Sequence, residues 1–144
     1  MKALLRLVAI AVIVASGYTM AANSSRSRAT AAQAHWFEMP GGSWNPSSRL
    51  LGEIESTLKR DLPAASVGRG DLPSWDAYTL QYRGERSLTL RRYVRINAFC
   101  DSRSSHPRWH REWVVVYDGG ACFFSARFDP ESDRLYDLEV NGIG

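Results

Sequence analysis

Cysteine and histidine are scarce in this sequence, with two of the first and three of the second among 144 residues. Two cysteines cannot build the dense disulfide framework of a small secreted scaffold. Three histidines leave a metal site without an evident ligand set. No internal repeat is visible, which argues against a solenoid or propeller. No apolar run reaches the ~20 residues of a membrane span. The longest, Leu7 to Ala15, is short and leads into the small and neutral residues Ser16 to Ala22. A strong charge of one sign is also missing, since the formal net charge is only +3.

What the chain has at its start is a leader pattern. Lys2 and Arg6 precede the apolar run, and small residues follow it. This is the charged, apolar, small-residue order of a secretory signal peptide, with the cut expected after Ala21. No cysteine lies near the cut to take a lipid. Loss of Lys2 and Arg6 leaves sixteen cations against 15 anions, so the mature chain is almost neutral. A global attraction to nucleic acid or to anionic lipid is not expected. The charge is nevertheless uneven. Eight arginines lie between Arg83 and Arg111, and acids dominate from Glu112 to Glu139.

Residues 22–34 read as a disordered tether without an apolar period, and residues 35–144 as one domain. Leu51, Ile54, Leu58 and Leu62 share one helix face. Asn45 suits an N-cap, Pro46 the first helical position, and Pro63 the end. Strands are expected around residues 77–83, 88–98, 113–117, 122–128 and 135–140, from period-two alternation or β-branched runs. Gly84-Glu85 and Asp118-Gly119-Gly120 are read as hairpin turns. Arg92 falls on an apolar side, which a bulge near Arg91-Arg92, or an edge position, would resolve. The expected fold class is α+β: one N-terminal helix packed on a four- to five-stranded antiparallel sheet.

The segments Ile96-Asn97-Ala98-Phe99-Cys100, Asp118-Gly119-Gly120-Ala121-Cys122-Phe123-Phe124, Phe128-Asp129-Pro130 and Val140-Asn141-Gly142 resemble a group of small exported bacterial proteins of unassigned function. That group's helix-then-meander order is similar to the cystatin-like fold. The resemblance implies turns and core positions, and it implies no activity and no catalytic residue.

Several side chains are candidates for chemistry. Cys100 and Cys122 suit one disulfide in an exported chain. A hairpin at Asp118-Gly119-Gly120 would instead place them at opposite ends of the sheet, ~20 Å apart, beyond the ~7 Å between disulfide Cα atoms. Either they are buried free thiols, or the simple meander is wrong. His106 and His110 have the spacing of a helical zinc pair, but Pro107 stands between them, and no metal is expected. Asp101, Asp118, Asp129 and Glu131 all lie beside turns, where acids are ordinary.

Arg91, Tyr93, Arg95 and Asn97 leave one face of a strand. Phe123 and Arg127 join that face from another. Arginines among aromatics on a rigid sheet are suited to anionic or aromatic ligands. The bland alternative is a solvated face neutralised by acids such as Asp137 and Glu139. The expectation is therefore an exported binding or inhibitor-like module, periplasmic or secreted, without catalysis or cofactor. Its partner would be an envelope protein or an anionic envelope component, with no nucleic acid and no membrane span after cleavage. The competing expectation is a small hydrolase with its site near the 101–110 loop.

Overall fold

A computed structural model describes residues 35–144 of the chain. The expected leader and tether lie outside the described residues. Five strands form one sheet in the order β1-β2-β3-β4-β5. They are β1 (Trp36–Glu38), β2 (Thr79–Arg86), β3 (Arg92–Phe99), β4 (Phe123–Asp129) and β5 (Arg134–Val140), with one helix, α1 (Ser48–Ala65), between β1 and β2. The α+β class is as expected. The sheet is mixed and not antiparallel throughout, because β1 runs parallel to β2. A parallel neighbour needs a crossover connection, and α1 supplies it. Three residues are too few for a period to show, so β1 is not legible from alternation.

The helix forms where the apolar stripe lies. Leu51, Ile54, Leu58 and Leu62 are all buried. Its cap is Ser47, whose Oγ accepts the Leu50 N–H at 3.3 Å, and not Asn45. The helix runs past Pro63 to Ala65. Proline removes a donor and crowds the preceding turn, but here only the last turn has to absorb it. Glu55 is buried on the helix and accepts from Trp36 Nε1 at 3.2 Å and from Lys59 Nζ at 2.7 Å, which ties α1 to β1.

Alternation divides each strand between two environments. Leu80, Tyr82, Val94, Ile96, Ala98, Phe124, Ala126 and Phe128 form the main core with the helix. The opposite face carries a smaller core of Phe99, Val114 and Phe123, with Trp109, Val116 and Cys122 packed against it. This second core revises the expected strand at 113–117. That segment belongs to no strand. It crosses the sheet face held by amide side chains. Gln81 Oε1 accepts the Val114 N–H at 2.9 Å, and Asn97 Nδ2 donates to the Val114 carbonyl at 3.0 Å. Asn141 Nδ2 donates to the carbonyls of Val116 and Asp118.

Asp118-Gly119-Gly120 is therefore no hairpin. Gly120 donates to the Gly142 carbonyl and Ala121 to that of Arg69, so the segment is held by the chain after β5 and by the loop after α1. β3 and β4 are instead direct antiparallel neighbours, with Phe99 opposite Phe123. That register brings Cys100 and Cys122 to a Cα separation of 5.0 Å, and they form a disulfide. The reading of free thiols far apart fails together with the 118–120 hairpin on which it rested, while β2 to β5 still follow one another as antiparallel neighbours.

Gly84 is not a turn residue either. It lies inside β2, bridged to Trp44, and a Cβ there would stand 2.2 Å from the Trp44 carbonyl oxygen. The β2–β3 turn comes later, at residues 87–91, where Ser87 N–H donates to the Arg91 carbonyl at 2.9 Å. Leu88 and Leu90 thus belong to the turn and not to the apolar side of β3, and no bulge is required at Arg92. Among the described residues, no helix is long and apolar enough to cross a membrane.

Candidate binding site at the hairpin end

The six residues singled out from the sequence share one sheet face, but the structure does not leave that face open as a unit. The register sets Arg83 opposite Arg95 and Arg95 opposite Arg127, so three arginines cross three strands in a row. Asn97 and Phe123 lie beneath the 109–118 segment, occupied by Val114 and by the small core. Trp113 reaches over the row, its ring 4.4 Å from the Arg95 guanidinium carbon and 5.3 Å from that of Arg83. Arg127 pairs with Asp137 at 3.2 Å and lies over the Tyr93 ring. The middle of the face is therefore a solvated, largely satisfied surface. Arg stems and aromatic rings cover one another there.

Beside the row is a polar cluster. Glu85 accepts from the Arg83 guanidinium and from the Tyr93 hydroxyl. Burial opposes the Glu85 charge. The hydrogen bonds from Tyr93 and Arg83, with the Arg83 and Arg95 charges, outweigh it and hold the carboxyl below its ordinary range. The same bond to Glu85, followed by burial, raises the Tyr93 phenol. Both shifts favour a carboxylate accepting from an intact phenol.

Arg91 and Tyr93 lie beyond the covered region, at the end of the sheet where two turns meet. In an antiparallel meander the β2–β3 and β4–β5 turns fall at the same end. Between them opens a cleft of about 510 Å³, lined by Arg91, Arg92 and Arg134, by Tyr93 and Tyr136, and by hydroxyl groups including that of Thr89. Its cations are held in different ways. Arg91 pairs with Asp129 at 3.2 Å and approaches Glu131 at 3.9 Å. Arg92 lies over the Trp44 ring, 5.3 Å from its centroid. Among the described residues Arg134 has no carboxylate within ion-pair distance. Asp129 is engaged by its own turn. The Glu131 N–H bonds its carboxylate at 2.8 Å and lowers its pKa, against an opposing effect of burial and with help from Ser132 and Arg91.

The turn itself presents Leu88, with a relative exposure of 105%, and Leu90, with 71%. Leu90 has φ of 62°, in the left-handed region that ordinary side chains avoid. Arg86 Nη1 donates to its carbonyl at 3.3 Å. Of the residues proposed from sequence, only Arg91 and Tyr93 belong to this cleft. Arg92, Arg134, Tyr136 and the two leucines were missed. The signal for the tip was present in Arg86-Ser87-Leu88-Thr89-Leu90-Arg91-Arg92. A turn at 87–91, in place of Gly84-Glu85, exposes it.

The 101–110 loop is organised differently. His106 Nε2 lies 2.8 Å from Asp101 Oδ2, and its ring packs edge-on against Phe99 and Phe123. His110 packs against Trp109. The described residues hold no group of three or more metal-ligating side chains. No family model matches this chain, and neither a curated protein nor a solved structure matches it significantly.

Proposed function

We propose that this protein is an exported, non-enzymatic binding module that engages an envelope component through the hairpin end of its sheet. The observation that carries this is the cleft between the two turns. Three arginines and two tyrosines line it, and two exposed leucines stand on the adjoining turn. Rigid turns on a packed sheet suit recognition, because little ordering is left to do on binding. The leader pattern supports export. The finer fold reading, a cystatin-like helix on an antiparallel meander, is supported by α1 followed by β2 to β5. The parallel β1 departs from it.

The test is retention of envelope components, lipid or protein, by the immobilised protein. The control is an Arg91→Gln/Arg134→Glu variant checked for native circular dichroism. Retention lost by the folded variant is expected. Equal retention by both proteins would overturn the reading.

One observation favours the hydrolase alternative, the His106–Asp101 hydrogen bond, since a carboxylate orients a histidine base in many hydrolases. Among the described contacts no hydroxyl or thiol nucleophile bonds the other ring nitrogen. A His106→Gln variant that loses a hydrolytic activity of the wild type would favour that alternative.

A further inference from the structure

We propose that the component met by the hairpin end is an anionic bilayer surface, with Leu88 and Leu90 entering the interface and the surrounding arginines facing lipid phosphates. This rests on the binding-module reading and names its ligand class.

The first observation is the arrangement of the tip. Leu88 and Leu90 belong to neither core. Both are exposed, and along the chain Arg86 precedes them while Arg91 and Arg92 follow. An apolar tip inside a cationic collar matches the bilayer interface, where side chains enter the acyl boundary and cations meet phosphate.

The second is the backbone. A leucine at φ of 62° is strained, and glycine or asparagine would sit there at lower cost. An exposed leucine in that conformation goes against both local stability and solubility. Such outliers concentrate where function retains them. The other two described non-glycine residues with positive φ, Asp133 and Asp137, are of a type that tolerates it.

The third is the neighbouring cleft. Arg134 and Arg91 face a space with hydroxyl groups beside it, a donor set suited to a phosphate group. An acidic peptide would satisfy the same arginines. It would leave the two protruding leucines needing an apolar pocket on the partner, whereas a bilayer receives them without one. Glu131 and Asp133 on the facing turn reduce the electrostatic attraction. Binding should therefore need the leucines and the arginines together.

The experiment is sedimentation of the chain, as recovered from an exporting host, with phosphatidylglycerol–phosphatidylcholine vesicles and with phosphatidylcholine vesicles. Wild type is compared with Leu88→Ser/Leu90→Ser and with Arg91→Gln/Arg92→Gln. Preference for the anionic vesicles is expected. Affinity should fall at least about tenfold on removal of the leucines and about fivefold per arginine removed. Leu88, Leu90 and Arg91 are on the turn and Arg92 opens β3, all four exposed, and circular dichroism checks that the variants fold.

Soluble glycerol phosphate and inorganic phosphate form separate arms. If either binds at the cleft with the affinity of the vesicles, and the leucine variant binds vesicles normally, the cleft takes phosphate alone and the proposal is overturned. It is also overturned if vesicles are not bound while a delipidated envelope protein is retained through Arg91 and Arg134, although the binding-module reading then stands. If neither vesicles nor any envelope component depends on this end, both fall.

Discussion

Gln81 on β2 holds Val114 as a neighbouring strand would, its Oε1 accepting the Val114 N–H at 2.9 Å. Its Nε2 donates to the carbonyls of Trp109 and Glu112, and its Oε1 also accepts from Asn97. The side chain is fully buried. One carboxamide thus satisfies backbone groups of a segment that has no strand partner, which the burial of those groups requires.

Replacing Gln81 by Met keeps the approximate volume and removes every one of these bonds. Each buried group left without a partner costs about 1–3 kcal/mol. Gln81→Met should therefore lower stability by about 3 kcal/mol. The 109–118 segment should lose hydrogen-exchange protection before the strands do. A loss confined to a few tenths of a kcal/mol would show that the segment is not held through Gln81.

The Cys100–Cys122 disulfide closes a loop with a sequence separation of 22, and that loop contains the same covering segment. Chain-entropy arithmetic for such a loop gives about 3 kcal/mol. A Cys100→Ala/Cys122→Ala variant should melt on the order of 10 °C or more below the wild type. Reducing agent should produce the same shift in the wild type and none in the variant. A wild type indifferent to reductant while the thiols are shown to be free would contradict this.

These two contacts also mark where sequence reading stops. The helix was legible because leucines at one spacing declare a buried stripe, and β3 and β4 were legible as strands from two alternating runs, but not their direct pairing or its register. The covering segment was not legible. Val114, Val115 and Val116 have the composition of a strand, but β3 and β4 pair directly and leave that run no place in the sheet. The order parallel β1, crossover, meander was hidden because β1 is three residues long. The candidate face was only half readable for the same reason: Asn97 and Phe123 point as alternation demands, but their exposure depended on where residues 100–122 travel. Arg91 and Tyr93 survive as candidates because they lie beyond that segment's reach.

Glu85 makes stability depend on acid. Its folded-state pKa is below the ordinary value of 4.5. Near that pH the unfolded chain binds more protons at this position than the folded one, so stability rises with pH there. The contribution is complete above the ordinary value and is lost as pH falls through the lower folded value. Denaturant titrations from about pH 7 to about pH 3 should show this loss in the wild type and a smaller one in Glu85→Gln. Asp61 and Asp129 are shifted the same way and account for a residual slope. Identical profiles for wild type and variant would mean that Arg83, Tyr93 and Arg95 do not favour the Glu85 charge.

Leu90 separates stability from function. At φ of 62° it pays for a conformation that glycine adopts freely. The penalty for an L residue there is about 1–2 kcal/mol, and glycine's larger unfolded-state entropy gives back up to about 1 kcal/mol of that. Leu90→Gly should therefore be neutral to mildly stabilising, by up to about 1 kcal/mol. This is unusual for removal of a leucine, and it is expected because the side chain is 71% exposed and buries little. The turn bond from Ser87 N–H to the Arg91 carbonyl should persist. Binding to anionic vesicles should fall in the same variant, since one of the two apolar side chains at the tip is gone. Leu90→Asn, which also tolerates this region and adds a polar group, should match glycine in stability and bind still more weakly. A clear loss of stability in both variants would show that Leu90 is retained for packing, and the case for a functional tip would lose its second support.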